Sequence, residues 1–367
     1  MEGNGETSNY VSGGNKQKPL PDRTLSIIIK ALNEQDKIEA AVISALAATR
    51  GIDAEVILAD SLSTDRTVEI AARYPITIVQ LMNAMDRSCG IGPQLGFQFS
   101  RGAYVYLMDG DMELDPEFIQ HALACLEDRP DVAGVGGIVE EKNVANLVFQ
   151  LRQNSTIAHM RAGEVDRLNM GGLYRRAALE GVGYFSNRNL HSFEELELAL
   201  RLQGKGWRLL RLPLVAIKHY GHAVPLLRLL RLRFRSNYVQ GPGEFLRSAL
   251  GKPYLLRVIK EFRVFLGVIA GWLLLLVCLL VAPYSLLSLA AVTALIIIIA
   301  VAMILRKKSI SLGLYSIVDW NVFAMGTLRG FMRKQTRPDD IIHSRVVHEA
   351  SLQNAEMTGL SLRAAKR

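Results

Sequence analysis

Cysteine is scarce in this chain, and that scarcity removes several possibilities at once. Cys89, Cys125 and Cys278 are the only three in 367 residues. They are too scattered for a disulfide framework or a cysteine-built metal site, so reduced structural thiols are expected. Residues 1–22 are polar, rich in Gly, Asn and Ser, and hold no apolar run of the kind that opens a secretory signal. They read as a disordered tail, and the domain behind them is expected to stay in the cytoplasm. No Gly-x-x-x-x-Gly-Lys-Ser/Thr loop occurs, which disfavours a P-loop enzyme. Internal repeats and low-complexity tracts are absent as well.

Charge disappears altogether from Val264 to Leu305. That run is about 42 residues, roughly 60 Å as helix, whereas one bilayer crossing needs only about 20 residues. Two transmembrane helices over 264–305, joined near Pro283-Tyr284-Ser285, are therefore expected. A buried soluble helix pair is disfavoured, because such helices carry a polar stripe. Arg257, Lys260 and Arg263 precede the run, and Arg306, Lys307 and Lys308 follow it. The positive-inside rule then places both flanks in the cytoplasm. The formal charge of +8 suits anionic lipid or phosphorylated substrates and does not by itself indicate nucleic acid.

Ahead of that run, strands alternate with helices. Leu25–Lys30 is a β-branched strand, and Ile38, Val42, Ala45 and Leu46 mark an amphipathic helix. Strands at Glu55–Asp60, Ile76–Leu81, Ala103–Asp109 and Val132–Val139 alternate with helices at Thr64–Tyr74 and Pro116–Glu127. Such alternation predicts an α/β domain over 23–222, a mostly parallel sheet with helices on both faces. Ligands in these sheets sit beyond the carboxyl ends of the strands. The acids fall at those ends: Glu34 after the first strand, Asp60 closing the second, Asp109 and Asp111 closing the fourth. Singly, each could be a helix cap; together they predict one crevice.

Farther on, Gly171–Arg176 reads as a strand entering a helix, Phe185–His191 as a polar loop, and Phe193–Leu202 as a helix opening on Glu194-Glu195. Trp207–Leu212 and Val215–Tyr220 are strand candidates. From Leu226 to Arg235, leucines and Phe234 interleave with Arg228, Arg231, Arg233 and Arg235. That pattern makes 223–263 a basic amphipathic juxtamembrane region, with a helix facing the domain's own core as the alternative. Residues 306–367 are expected to be cytoplasmic. Within them, 310–332 is an interfacial helix rather than a third span, and the remainder is a polar tail.

These motifs resemble, in order and spacing over residues 24–250, the inverting glycosyltransferases of family 2, whose nucleotide-sugar-binding fold is called GT-A. The resemblance rests on Ile27-Ile28-Ile29-Lys30-Ala31-Leu32-Asn33-Glu34, on Asp60-Ser61-Leu62-Ser63-Thr64-Asp65, on Asp109-Gly110-Asp111 followed by Pro116-Glu117, and on Glu194-Glu195-Leu196-Glu197-Leu198 with Arg201 and Gly206 downstream. It implies that Glu34 and Asp60 hold base and ribose, with Asn33 and Arg87 also at the nucleotide sugar. It implies that Asp111 is the principal ligand of a Mn²⁺ or Mg²⁺ ion, and that Asp109 reaches ribose or metal. Hard cations of this kind take carboxylate oxygens together with substrate phosphates. Glu195 stands where the family's base usually is an Asp, and Glu194 is its competitor. Both could instead cap a helix N-terminus. His219, or less well His222, would complete the metal site or contact the pyrophosphate, unless it is a structural histidine. Arg235 and Tyr238 would border the acceptor.

Gly90-Ile91-Gly92-Pro93-Gln94-Leu95-Gly96 fits a loose dinucleotide fingerprint but does not directly follow a strand. It is read as the loop before the Asp-x-Asp strand. The function expected is metal-dependent, inverting, non-processive transfer of a sugar from a nucleotide-diphosphate donor to a lipid-linked or growing saccharide, for cell-surface polysaccharide, at the cytoplasmic membrane. No Gln-x-x-Arg-Trp motif of a processive synthase occurs. A polyprenyl-phosphate sugar synthase is the nearest alternative; a non-catalytic membrane scaffold that keeps the fold is the alternative of another class.

Overall fold

The computed structural model describes residues 23–142, 160–169, 171–221, 224–281 and 286–350. The expected N-terminal tail, the turn at 283–285 and His222 lie outside them. The chain divides into two compact units. The first takes residues up to Asn189, Glu194–Ala223 and Thr336 onward; the second takes Leu190–Phe193 and Val224–Gln335.

In the first unit, β1 (Arg23–Ala31) lies between β2 (Ala54–Asp60) and β4 (Gly102–Asp109), all parallel, with β3 (Thr77–Leu81) parallel beyond β2. Both faces of this sheet are covered, which is why its strands read as continuous apolar runs. Leu25, Ile27 and Ile29 pack on one face with residues of α1 (Ile38–Ala48), α2 (Thr67–Ala71) and α4 (Phe118–Asp128). Ile28, Ile57 and Val79 pack on the other with residues of α3 (Ile91–Phe99), α5 (Arg176–Gly181) and α6 (Glu194–Gly204). Each such side chain contributes about 1.5–3 kcal/mol on burial. The register pairs Ala31 with Asp60 and Lys30 with Asp109, so the carboxyl ends of these strands are level.

Past β4 the sheet is mixed rather than mostly parallel. Its order is β10 (Ser344–His348), β3, β2, β1, β4, β8 (Gly172–Arg175), β6 (Val132–Glu141), β9 (Arg208–His219) and β5 (Met112–Leu114), with the short β7 (Gly163–Glu164) on β9. Strand β8 (Gly172–Arg175) runs antiparallel to both β4 and β6 (Val132–Glu141). Strand β9 (Arg208–His219) is parallel to β6 and antiparallel to β5 (Met112–Leu114). An apolar run reports burial and not direction, so its sequence pattern could not show the reversal. Nor is β9 interrupted at Pro213. The register slips there, between Gly136 and Ile138 of β6, and such an irregularity lets a proline sit within a strand.

Two segments taken for irregular chain are ordered elements. Residues 91–99, expected as a loop, are a helix whose glycines serve packing. A side chain at Gly92 would come within 2.9 Å of Lys30 Cβ, and one at Gly96 would overlap Ile28 Cγ2. Within the expected polar tail, β10 (Ser344–His348) pairs antiparallel with β3 and closes that edge of the sheet.

The second unit is helical: α7 (Leu226–Arg235), a 3₁₀ turn (Tyr238–Gln240), α8 (Gly241–Ser248), α9 (Leu255–Glu261), α10 (Arg263–Val281), α11 (Leu286–Lys307) and α12 (Ile310–Met332). Gly326 and Gly330 of α12 lie against the backbone carbonyls of Val239 and Gln240, where no side chain fits. Ser309 caps α12 through the Leu312 amide. Fully buried Glu244 accepts hydrogen bonds from His191 N at 2.9 Å and His191 Nδ1 at 2.8 Å, with Arg333 Nη1 at 3.5 Å. Among the described residues no single helix is long and apolar enough to cross a membrane, although the bent pair Leu255–Glu261 and Arg263–Cys278, at 74°, could do so together.

If α3 depends on its glycines for close approach, Gly96→Ala should destabilise the protein by about 1–3 kcal/mol, as overpacking does. Gly204→Ala meets nothing within 4 Å and should change stability little. Paired thermal or urea melts of the two variants check this.

Candidate active site

At the carboxyl edge of β1 a single lysine gathers two acids from distant parts of the chain. Lys30 Nζ lies 3.2 Å from Asp109 Oδ1 and 3.3 Å from Glu194 Oε1. Burial alone would lower its pKa, but Asp109, Glu194 and Glu195 hold it well above the ordinary lysine value, so the ammonium is permanent. Sequence reasoning took Lys30 only as the end of a strand. The signal was there, in a charge closing the buried run Ile27-Ile28-Ile29.

Glu194 and Glu195 open α6, directly after Phe193, whose φ is +68°. Glu194 is buried and spent on Lys30. Glu195 is pushed up to about 8 by burial and by the charge of Glu194, against the opposing pull of Lys30. The neighbouring acid Glu197 has a structural task. It accepts both Arg201 and the Tyr184 hydroxyl, while Arg201 also donates to the carbonyls of Tyr184 and Phe185.

A second cluster forms around the turn after β4. Gly110 donates its N–H to Lys30 O and has no left-handed backbone. What requires glycine is room, since a Cβ would stand 3.1 Å from Ala31 Cβ and 3.3 Å from Glu34 Cγ. The Asp111 carboxylate lies 3.4 Å from His219 Nε2 and 3.8 Å from Lys37 Nζ, which also reaches Glu34 at 3.7 Å. Pairing of Met112 with His219 across β5 and β9 sets the first of these contacts. His219 Nδ1 is anchored to Glu141 at 2.6 Å. Burial would lower His219, but Asp111 and Glu141 raise it to about 9. Glu34 is raised to about 7 by burial and Asp111, against Lys37. Lys37 and Glu141 were not anticipated from the sequence.

The third group is a loop. Asp60, fully buried, accepts Ser63 N at 3.0 Å and Gln80 Nε2 at 2.8 Å. Arg87 donates Nε to Ser61 O at 2.8 Å and Nη2 to Leu62 O. Asn33, at φ +58°, accepts the Thr64 amide at 2.8 Å, and its own amide donates to Ser63 Oγ. Asp60, Arg87 and Asn33, grouped by the resemblance at the nucleotide, thus all bond to residues 61–64. Arg235 and Tyr238 belong to the second unit, where Tyr238 meets Phe323 edge-on and Arg233 lies over its ring.

Could a divalent cation be held here? Among the described residues no group of three or more His, Cys, Asp or Glu is arranged to hold one unaided. The donor chemistry nonetheless fits. Asp111 offers a carboxylate beside an imidazole nitrogen whose other nitrogen is fixed by Glu141, the arrangement that orients metal-binding histidines. Magnesium-type sites commonly complete such a set with substrate phosphates.

The family described as glycosyl transferase family 2 matches residues 26–181, and glycosyl transferase family group 2 matches residues 104–305, more than half of the chain. The chain belongs to the family 2 glycosyltransferases, enzymes that transfer sugars. It is 32% identical over 130 residues to the succinoglycan biosynthesis protein ExoO of Rhizobium meliloti, covering 35% of each chain. It is 26% identical over 129 residues to the dolichol-phosphate mannosyltransferase of Pyrococcus furiosus, covering 34% of this chain and 36% of that one. The chain therefore spans about a third of the length of the curated relatives it matches. The mannosyltransferase PcManGT from Pyrobaculum calidifontis, solved with GDP-Man and Mn²⁺, shares the fold at 19% identity and TM-score 0.55, over 85% of this chain and 89% of that one.

A base must be ionised to accept a proton. If Glu195 is the base, its rise to about 8 means that kcat/KM should climb with pH through about that value. Lys30 pulls Glu195 down, so Lys30→Met should carry the acid limb to higher pH. An unmoved limb in a pH–rate profile of the variant would remove Lys30 from the electrostatics of the base.

Proposed function

We propose that this chain transfers a sugar from a nucleotide-diphosphate donor to a hydroxyl of a lipid-linked or growing saccharide acceptor, inverting the anomeric centre and releasing after each addition. The observation that carries this reading is the sorting of the acid pair by Lys30. Glu194 is bound to the ammonium, which leaves Glu195, with its raised affinity for a proton, as the carboxylate that can take one.

The reaction is a single displacement. The acceptor oxygen bonds to the anomeric carbon as the bond from that carbon to the phosphate oxygen breaks, and the hydroxyl proton passes to Glu195. Attack from the face opposite the leaving group inverts the centre. Asp111 and His219, with Asp109, would hold a Mn²⁺ or Mg²⁺ ion, which would supply positive charge toward the leaving diphosphate. The loop 61–64, held by Asp60, Arg87 and Asn33, is assigned to the nucleotide, with Glu34 toward the ribose.

The second unit supports a site at a membrane surface. Leu227, Leu232 and Phe234 are exposed on α7 among Arg228, Arg231 and Arg235, a surface that suits anionic lipid. Leu273, Leu274, Val277 and Leu280 of α10 and Ile297, Ile298 and Val301 of α11 are likewise exposed apolar residues. We assign α10 and α11 to the bilayer as a hairpin with cytoplasmic flanks, and Arg235 and Tyr238 to the acceptor. A polyprenyl-phosphate acceptor is the second reading, favoured by the similarity to a dolichol-phosphate mannosyltransferase. Such an acceptor is already ionised and needs no base.

Glu195→Gln therefore separates the two. It should lower transfer to a sugar hydroxyl by the roughly 10²–10⁴-fold typical of a lost general base, while calorimetric binding of the nucleotide sugar stays unchanged. Near-normal transfer by Glu195→Gln, with Glu194→Gln also active, would favour the phosphate acceptor. Asp111→Asn removes the charge a cation requires and should abolish transfer in Mn²⁺ with melting unchanged; retained activity would overturn the assignment of Asp111 to the metal.

A further inference from the structure

The segment 336–348 returns to the first unit and is built into it at several points. Ile342 is buried among Ile57 and Val79, and its N–H and C=O both pair with the Gln98 amide, at 2.9 and 3.2 Å. Met82 N donates to His343 O at 3.2 Å, and Arg188 Nη1 to Asp340 O at 3.1 Å. These contacts place β10 in register with β3 so that Arg345 stands directly opposite Gln80, and side chains paired in this way share one face of the sheet.

We propose that Arg345 is a positioning residue of the donor site, acting through Gln80 and Asp60 on the loop 61–64. This rests on the assignment of that loop to the nucleotide made above. The chain of contacts is short. Arg345 gives Nε at 3.1 Å and Nη2 at 2.6 Å to the single oxygen Gln80 Oε1. A guanidinium has donors only, so it fixes which end of the Gln80 amide faces outward. The amide nitrogen must then face inward, where it donates to Asp60 Oδ2 at 2.8 Å. Asp60 in turn accepts Ser63 N at 3.0 Å and so holds the turn in which Leu62 has φ +61°.

Without Arg345 the Oε1 end of the Gln80 side chain loses its anchor, and the bond to Asp60 alone orients the amide. Gln80 and Asp60 are both buried, so movement of the loosened side chain is passed to Asp60 and the loop. The plain alternative is that β10 only covers a sheet edge. The two differ in what they affect, since an edge cover acts on stability whereas the relay acts on nucleotide affinity.

The test uses the full chain, with Mn²⁺ and with UDP and GDP as calorimetric probes. Arg345→Met should raise the Kd of the nucleotide that binds, and the donor KM, by roughly five- to thirtyfold, on the scale of one charge-assisted hydrogen bond. Saturated kcat should stay within about twofold, because no group touching the reacting atoms is altered. Arg345→Lys, which keeps a donor toward Gln80 Oε1, should recover part of the loss. Gln80→Leu should match Arg345→Met, and the double variant should be no worse than either single, since both break the same relay. Val347→Ser changes β10 without touching Gln80 and should leave affinity unaltered. Unchanged affinity in Arg345→Met, additive losses in the double variant, or an equal loss in Val347→Ser would overturn the proposal. Asp60→Asn separates the two levels. If it weakens binding while Arg345→Met does not, only the relay fails; if it leaves binding intact, the assignment of the loop fails.

Discussion

The ammonium of Lys30, set between Asp109 and Glu194, is the contact on which the rest of the site depends. Two like charges about 4 Å apart repel by about 4 kcal/mol at an effective dielectric near 20. Acids from the end of β4 and the start of α6 could not share this edge without a cation among them. Lys30 is suited to the task because it is rigidly placed. Its strand is locked by Ile27, Ile28 and Ile29, none of which has exposed surface, and Gly92 of α3 leaves just enough room for its stem. Gly92 and Gly96, two of the glycines that mimic a dinucleotide fingerprint, thus let a helix press against the strand that carries the lysine.

A second lysine repeats the device on the other acids. Lys37 lies near Glu34 and Asp111, as Lys30 lies near Asp109 and Glu194. The two acids of Asp109-Gly110-Asp111 therefore have different partners, although one residue separates them. Asp109 belongs with the acid pair of α6. Asp111 belongs with His219 and, through it, Glu141. That division gives the two acids different direct partners, a condition under which neighbouring carboxylates can take different roles.

The parallel half of the sheet was legible from the sequence because burial on both faces writes itself as unbroken apolar runs, and because Asp60 and Asp109 mark strand ends that the register does bring level. The acid pair at a helix start was legible for the same local reason, as was the place of His219. Much of the rest is encoded by partners far away in the chain. The direction of β8 and β9 leaves no local trace. The helix at 91–99 was hidden because its glycines and proline normally punctuate turns, and only Ile28 and Lys30, more than sixty residues earlier, show why they are there. β10 is short and mostly exposed, with charged and polar neighbours, so nothing in its composition separates it from a tail until β3 is seen beside it. Glu244 with His191 and Arg333 was missed for a like reason: a fully buried carboxylate is recognisable only with its partners present.

The loop 61–64 shows how such distant partners act together. Leu62 and neighbouring Asn33 both have left-handed backbone, at φ +61° and +58°. For a residue such as leucine this conformation costs on the order of 1–3 kcal/mol, and it persists only where the surroundings over-determine it. Here they do so from three sides. Asp60 holds Ser63 from the sheet, Arg87 takes the carbonyls of Ser61 and Leu62, and Asn33 and Thr64 bind across the gap between β1 and β2. A loop held in this way has already lost the freedom that a ligand would otherwise have to remove on binding. With the loop assigned to the nucleotide as proposed above, the hydrogen bonds that overcome its strain would also prepare it for that ligand. On that assignment the buried Asp60, which has no exposed surface of its own, bears on nucleotide affinity.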